Sequence, residues 1–260
     1  MDGSEARQWT QDEPLLDGAA IGGRVRAVLE RTEAAHHRSA ARLRASGQEE
    51  RANFIERSAA WVRFDLDEPL ATQRLYAAAA RLERVRGIQG LADRALEAVL
   101  SLARADRGNM QLADPASGEL RIVSQHGFDA EFLDHFAVVD DDGSACGRAA
   151  MCGAQLVIAD VITDPGFEPH RRIAAASGFR AVQSTPLIDS AGRLLGVVST
   201  HYPRPFAPQA RDMRLIKRWA DLVGRALANR LHAAIADGSS AADVLAARVG
   251  SRAVPAGVTP

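Results

Sequence analysis

The sequence predicts an α+β protein in which an antiparallel β-sheet is flanked by helices and preceded by a helical N-terminal module. From Arg24 to about Leu102, apolar residues recur at spacings of three and four, which is typical of amphipathic helices. After Ala105, short strand-like runs alternate with turns, the pattern of antiparallel hairpins. A strongly amphipathic helix then starts near Pro208 and indicates a helical layer on one face of the sheet.

Composition excludes several classes of protein. Of the 260 residues, 47% are hydrophobic and 25% are charged, as in an ordinary globular protein. The formal net charge of -1 provides no field that would recruit nucleic acid or an anionic membrane, so we expect neither partner. Met1 to Glu13 lacks an apolar core, and the two cysteines form no C-x-x-C motif. These features predict a cytoplasmic protein without a signal peptide or a disulfide framework.

The N-terminal part divides into a flexible tail at residues 1–20 and a helical module at residues 21–86. The module is predicted to contain helices at Arg24–Ser46 and Gln48–Phe64, a break at Asp65–Pro69 and a third helix from near Leu70. Gly87 and Gly90 interrupt the apolar seam of this third segment, and glycine weakens a helix by about 1 kcal/mol relative to alanine. We therefore place the domain boundary at Gly87.

The main domain is predicted at residues 87–236. Its strands are expected at Arg107–Ala113, Glu119–His126, Leu156–Val161, Arg180–Ile188 and Leu194–Tyr202, and its short helices at Asp129–Phe136, Ser144–Cys152 and Pro169–Ser177. Ser144 can cap the second of these helices and Gly153 can end it. Residues 237–260 are rich in Ala, Gly, Ser and Pro and are predicted to be disordered, despite a weak helical run at Ala241–Val249.

Four stretches, in this order, resemble the GAF domains that are often fused to bacterial histidine kinases. They are Asp142–Ala149, Ile158–Val161 with Asp164–Phe167, Gly178–Leu187 and Gly192–His201. The resemblance covers roughly Gly87 to Ala236. It implies an antiparallel sheet with helices on one face and a pocket under loops and short helices on the other. It also implies either a small ligand or a role in dimerisation alone, since a fold does not determine a function.

The candidate ligand-binding residues lie mainly in the segment Asp160 to Phe179. Phe167 and Phe179 are expected to supply apolar contact area, and His170 or Arg172 to orient a polar group of the ligand, because small-molecule sites are mostly apolar with a few placed polar groups. Asp160 and Thr185, from the matching stretches, complete the candidate set. The segment is broken by prolines and glycine, as binding loops over a rigid sheet often are.

The sequence does not identify the ligand. Lys217 is the only lysine, so the chain lacks the Asn-Lys-Phe-Asp-Glu signature of cyclic-nucleotide-binding GAF domains. No cysteine lies near His170, which argues against covalent bilin attachment, although haem-binding relatives place a proximal histidine in this region. Thr200 and His201 alternate on the last strand, so only one of them can face the pocket. No cofactor and no metal site is predicted.

An enzyme of the same fold is the alternative from another class. Cys146 occupies a position similar to a cysteine of the free methionine sulfoxide reductases, but their catalytic cysteine would fall within Ile173 to Gln183, where none occurs. Cys152 lies six residues further along the same helix, about 240° around it, and cannot replace that partner. We therefore predict no catalytic residues. His36 and His37 likewise lack the sequence that follows a kinase phosphoacceptor histidine.

The functional hypothesis is a sensory or regulatory module that binds a small molecule. It would signal to a separate output protein through a homodimer built on the helices at Leu91–Leu102 and Leu215–Leu231. A ligand-free dimerisation or protein-interaction module is the alternative, and a reductase-like enzyme is the third. Between Arg24 and Arg63, nine arginines oppose five glutamates, which we interpret as a solvated helical face and not as a nucleic-acid surface.

Overall fold

The computed structural model describes residues 23–140 and 142–236. Its helices are α1 Gly23–Ala45, α2 Glu49–Asp67, α3 Pro69–Glu83, α4 Gly87–Ala103, α5 Ala130–His135, α6 Ala145–Cys152, α7 Arg171–Ala176 and α8 Ala210–Ala236. Its strands are β1 Arg107–Ala113, β2 Leu120–His126, β3 Val138–Val139, β4 Leu156–Ile158, β5 Ala181–Ile188 and β6 Leu194–Tyr202. The tails predicted at residues 1–20 and 237–260, with the helical run at Ala241–Val249, lie outside the described residues.

The chain divides into two compact units between Gln73 and Arg74, within α3, whereas the sequence pattern places the boundary at Gly87. In the first unit, α1 and α2 pack together as a helical hairpin. Their contact is lined by small residues, since Ala40, Ala52 and Ala59 are fully buried. The break after α2 begins at Glu68 and not at Asp65, because Pro69 restricts the residue immediately before it and leaves Asp65 to Asp67 helical.

The second unit is built on a six-stranded antiparallel sheet with the order β3-β2-β1-β6-β5-β4. The hairpins β1–β2 and β5–β6 meet at the centre, where β1 pairs with β6. This arrangement confirms the predicted α+β class with helices around an antiparallel sheet. In the register, Asn109 and Ser184 both lie opposite Ser199, and Val182 lies opposite His201.

Strand β4 is shorter than predicted, ending at Ile158 instead of Val161. The chain turns at Asp160, whose carbonyl accepts hydrogen bonds from the amides of Thr163 and Asp164 at 3.2 Å each. Because β4 pairs with β5 only as far as Ser184, the following residues of β5 have a strand partner on one side only, which is β6. That explains how Pro186, which has no N–H to donate, fits within β5.

Helices α4 and α8 cover one face of the sheet and pack on each other. Trp219 of α8 is fully buried, and its indole N–H donates a hydrogen bond to the Ala95 carbonyl at 3.2 Å. Gly224 allows α8 to approach β5 closely: a Cβ atom there would lie 2.5 Å from the carbonyl oxygen of Ile188. No helix among the described residues is both long and apolar enough to cross a membrane.

Short elements cover the opposite face. Ser144 caps α6 as predicted, its hydroxyl accepting the Gly147 amide at 3.0 Å, and Gly153 ends that helix at φ 60°. The helix predicted at Pro169–Ser177 corresponds to α7, which begins two residues later at Arg171, and a 3-10 helix at Pro165–His170 that was not predicted precedes it. Asp164 begins the 3-10 helix by accepting the Phe167 amide at 3.0 Å.

Candidate ligand site

The central strands carry a row of buried polar side chains on the face opposite α4 and α8. Alternation along each strand places every second residue on this face. We call these residues the polar row: Asn109 and Gln111 of β1, Ser184 of β5, and Ser199 and His201 of β6, all buried. The Ser184 and Ser199 hydroxyls bond each other at 2.8 Å. An apolar core would carry aliphatic residues here, so the row is a distinctive feature of the domain.

Five aromatic side chains lie over the polar row. We call them the phenylalanine layer: Phe128, Phe132 and Phe136 from around α5, Phe167 from the 3-10 helix, and Phe179 from before β5; all five are buried. Phe128 and Phe132 stack with ring centroids 3.6 Å apart. Phe128 and Phe179 approach the His201 ring edge to face, at 4.9 Å and 4.7 Å. The imidazole therefore sits within the aromatic cluster.

A cavity of about 20 Å³ separates the row from the layer. Its lining combines Asn109, Ser184, Ser199 and His201 of the row with Phe132, Phe136, Phe167 and Phe179 of the layer and with Ser144 and Cys146 of the α6 start. A cavity of this size holds about one water molecule. In this conformation the site is closed to anything larger.

Several polar atoms of the row have no protein partner. Within the described part of the chain, neither Asn109 Oδ1 nor His201 Nδ1 has a hydrogen-bond partner. The Gln111 amide also makes no hydrogen bond within normal distance, although it lies close enough to Cys146 to affect that thiol's pKa. Each unsatisfied buried polar group costs about 1–3 kcal/mol of stability. Three side chains of the polar row, Asn109, Gln111 and His201, carry such atoms.

His201 is neutral in the folded protein. Burial, and secondarily the positive charge of Arg107, lowers its pKa to about 3 from an ordinary value of 6.5. The structure also answers which residue of the last strand faces the site: it is His201. Thr200 faces α4 and α8, with its hydroxyl 3.2 Å from the Tyr202 hydroxyl.

Of the residues predicted to bind a ligand, Phe167 and Phe179 line the cavity. His170 lies behind them, with its ring centroid 5.3 Å from Phe167 and 5.1 Å from Phe136. Its Nδ1 atom is 2.9 Å from Nε2 of His135, so the two imidazoles join the 3-10 helix to α5. His170 therefore positions the phenylalanine layer and does not line the cavity.

The other three predicted residues lie away from the cavity. Asp160 pairs with Arg180 at 2.6 Å, and that hydrogen bond is the main reason for its lowered pKa. Arg172 is 77% exposed and pairs with Glu131 at 2.6 Å. Thr185 lies on the opposite sheet face from Ser184 and accepts a hydrogen bond from Gln155 at 3.2 Å. These side chains stabilise loops and the edge of the sheet.

Sequence reasoning missed the polar row. A signal for it was present, because β1 carries Asn109 and Gln111 two residues apart, and β6 carries Ser199 and His201 two residues apart. Polar residues at alternate positions of an apolar strand indicate a polar face, but the same pattern is typical of a solvated one. Only the packing of the phenylalanine layer distinguishes the two.

Cys146, at the start of α6, does not have the environment of a catalytic nucleophile. Cys146 is buried with its sulfur 3.1 Å from the Ser144 hydroxyl, and burial raises the pKa of its thiol. Cys152 is exposed and its sulfur lies 3.8 Å from the Ala149 carbonyl, and both cysteines are free. A catalytic thiol requires a lowered pKa, and Cys146 has the opposite.

A curled antiparallel sheet with helices on one face and short elements on the other defines one class of α+β domain. The family model of the GAF domain matches residues 87–227, more than half of the chain. The chain belongs to the GAF domain family, and the predicted resemblance is confirmed.

Solved structures with this fold include sensory and enzymatic proteins. A domain assigned to a two-component sensor histidine kinase protein of Sinorhizobium meliloti is 19% identical, with TM-score 0.50, covering 60% of this chain and 100% of that one. The free methionine-R-sulfoxide reductase of Neisseria meningitidis is also 19% identical, with TM-score 0.53, covering 64% of this chain and 92% of that one. Likeness at this level shows the fold alone.

A curated relative is the methyl sulfide methyltransferase-associated sensor of Methanosarcina acetivorans. It is 28% identical over 89 residues, which are 34% of this chain and 9% of the relative. The chain therefore matches a small part of a much longer sensor protein.

Proposed function

We propose that this chain is a cytoplasmic sensory module that binds an uncharged small molecule between the polar row and the phenylalanine layer. The bound state would act on a separate output protein. Two proteins described as sensors, one a relative in sequence and one a neighbour in fold, support the sensory part. The main observation in favour of a bound ligand is that buried polar atoms of Asn109 and His201 have no hydrogen-bond partner within the described residues.

The polar row is costly for a domain that only holds its own fold. Replacing a buried polar group by an apolar one of similar shape is often neutral or stabilising. A ligand that hydrogen-bonds to Asn109 and His201 would offset their burial, and its affinity would include the relief of that cost. The polar row is therefore better explained as a ligand-binding face than as part of a sheet with a purely structural role.

Binding at this face would require the phenylalanine layer to move, because the closed cavity of about 20 Å³ admits about one water molecule. Two contacts between short elements hold the layer: His135 with His170 at 2.9 Å, and Glu131 with Arg172 at 2.6 Å. Exposed ion pairs contribute about 0–1 kcal/mol, so the second contact opposes movement only weakly. A ligand that opens the layer would thereby change the outer surface, as a sensor requires.

The lining limits the chemistry of the ligand. The cavity has no charged side chain among its lining residues, and His201 is neutral. A buried ion would lack a counter-charge and would be strongly disfavoured. The amide of Asn109 and the imidazole of His201 suit a planar molecule that has both donors and acceptors, and the aromatic rings suit its faces. Uncharged heteroaromatic amides and nucleobase-like rings fit this description.

Native mass spectrometry of the purified chain, followed by a thermal-shift series with adenine, nicotinamide and uracil, tests the proposal. A compound that binds only the native state must raise the melting temperature. In Asn109→Leu, we expect the protein without ligand to be as stable as the wild type or more so, and the ligand-induced shift to disappear. Gln183→Leu is the matched control, because its amide is buried on the opposite face with an unpaired nitrogen.

Absence of a mass adduct and of any ligand-induced shift in the wild type would remove the ligand from the proposal. The second candidate, a protein-interaction module without a ligand, would then stand. The smallness of the cavity is the observation that favours it. The homodimer likewise remains a proposal, since the apolar faces of α4 and α8 on which it was predicted are used within one chain.

We also propose that the chain has no reductase activity, although the fold of the Neisseria meningitidis enzyme is similar. The raised pKa of the Cys146 thiol supports this proposal. The test is an assay with free methionine sulfoxide and a thiol reductant, and turnover that is lost in Cys146→Ser would contradict it.

A further inference from the structure

A second and larger cavity lies at one end of the sheet. We call it the turn recess, and it occupies about 420 Å³ where the β1–β2 and β5–β6 turns meet the last turns of α8. The apolar residues of its lining include Leu112, Leu194, Leu195, Ala228 and Leu231. It shares no lining residue with the cavity under the phenylalanine layer.

The recess has the size and surface of a small-molecule site, which typically measures about 300–1,000 Å³ and is mainly apolar. Leu194, Leu195 and Leu231 are only half-buried by the described residues. Three leucine side chains thus converge on one concavity and remain partly open to water. An alkyl group placed there would complete their burial.

Two basic side chains border the recess. Arg193 donates through Nε to Asp189 Oδ2 at 2.7 Å, and its two Nη groups make no hydrogen bond within the described part of the chain. That side chain is 65% exposed, so its outer edge is accessible. His232 borders the recess from α8 and is exposed. Two parallel N–H donors of a guanidinium match the two oxygens of a carboxylate.

One acid, Asp114, also lines the recess, and its carboxylate is hydrogen-bonded within its own turn. Asp114 Oδ1 accepts the amides of Ala116 and Ser117 at 2.8 and 3.1 Å. These bonds lower its pKa and tie the carboxylate to its own turn. The side-chain hydrogen-bond donors in the lining are those of Arg193 and His232.

We propose that the turn recess binds a medium-chain alkyl carboxylate. The alkyl tail packs on the leucines and Ala228, and the carboxylate accepts hydrogen bonds from the Nη groups of Arg193, with His232 nearby. The bound molecule connects both hairpin turns to the end of α8. This site is independent of the proposed ligand beneath the phenylalanine layer.

Titration calorimetry with hexanoate, octanoate and decanoate at neutral pH tests the proposal. Each additional buried methylene should tighten binding about fourfold. Octanol should bind at least about tenfold more weakly than octanoate, because it leaves the Arg193 donors unpaired. Absence of binding by decanoate overturns the site, and tighter binding of octylamine than of octanoate overturns the assignment of charge.

Variants locate the site. Ala228→Phe should fill the recess and abolish decanoate binding, whereas Asn229→Phe adds the same ring on the exposed side of α8 and should leave it unchanged. Arg193→Gln should weaken the binding of octanoate about tenfold and leave the binding of octanol unchanged. This variant tests the site independently if Ala228→Phe does not fold. Equal decanoate affinity in wild type, Ala228→Phe and Arg193→Gln overturns the proposal. Asn109→Leu should bind decanoate normally, which separates this result from the ligand under the phenylalanine layer.

Discussion

His201 is a buried titratable residue whose neutrality depends on its surroundings. It lies in contact with Phe128 and Phe179, and its Nδ1 atom has no partner within the described residues. A charged imidazole would be destabilised at this position, which is why its pKa falls to about 3. The residue therefore links the free energy of unfolding to pH.

The first prediction concerns the pH dependence of unfolding. Unfolded His201 binds a proton below its ordinary pKa of 6.5, but the folded residue does so only below about 3, so unfolding takes up a proton between these values. The free energy of unfolding should thus fall as the pH is lowered from 6.5. His201 should account for about 1.5 kcal/mol of loss between pH 6.5 and 5.

Denaturant titrations of wild type and His201→Gln at pH 7, 6 and 5 measure this contribution. The variant should lose less stability across the interval, because its side chain does not titrate. Identical pH profiles for the two proteins would show that His201 is not buried and neutral as described.

The second prediction concerns the thiols. Cys152 is exposed whereas Cys146 is buried with a raised pKa, so only the Cys152 thiol should react rapidly with iodoacetamide in the native protein. Mass spectrometry should find one adduct, absent in Cys152→Ser and unchanged in Cys146→Ser. A fast second adduct in wild type would mean that the start of α6 opens readily.

At the scale of elements, glycines at two helical positions have opposite roles. Gly224 of α8 faces β5, where a Cβ would come within 2.5 Å of the Ile188 carbonyl oxygen. Gly90 of α4 has room, since a Cβ there would lie 3.5 Å from its nearest neighbour, Val85. The first glycine is required by packing, and the second only weakens its helix.

The third prediction is that the same substitution has opposite effects at these positions. Gly224→Ala should destabilise the domain by about 1–3 kcal/mol, because helix and strand must separate. Gly90→Ala should stabilise it by up to about 1 kcal/mol through helix propensity. Thermal and urea unfolding measure both, and a stable Gly224→Ala would mean that the contact between α8 and β5 is looser than described.

At the scale of the whole second unit, α4 and α8 form one core with the sheet. Trp219 has no exposed surface and is bonded to α4 through the Ala95 carbonyl. The stripe containing Leu215 and Leu227 is also buried within one chain. The apolar face of α8 therefore contributes to the core of a single chain and is not left free for a dimer interface.

The fourth prediction follows from this burial. Trp219→Glu should unfold the second unit instead of releasing a folded monomer, because it places a charge in the core. Circular dichroism with light scattering distinguishes the outcomes: loss of tertiary signal and aggregation are expected. A well-folded monomer derived from a wild-type dimer would place Trp219 at an interface and contradict the burial.

The sequence by itself determined the class of fold, the family and most strand positions. Strands β1 and β6 begin and end where the pattern places them, and the turn after β1 at Asp114–Gly118 and the turn before β6 at Asp189–Gly192 consist of typical turn residues. The cap at Ser144 was also local chemistry, since its hydroxyl bonds an amide three residues away. Such features depend on neighbours in the chain and are visible in the sequence.

The tertiary structure decided which side chains meet in the site. Thr185 and Ser184 are adjacent in the sequence but lie on opposite faces of the sheet, and only the register and the helical layer determine which face is enclosed. The partners of Asp160 and Arg172, and the burial of His201, likewise come from elements distant in the chain. Contacts between distant segments depend on how whole elements pack, and no local pattern specifies that packing.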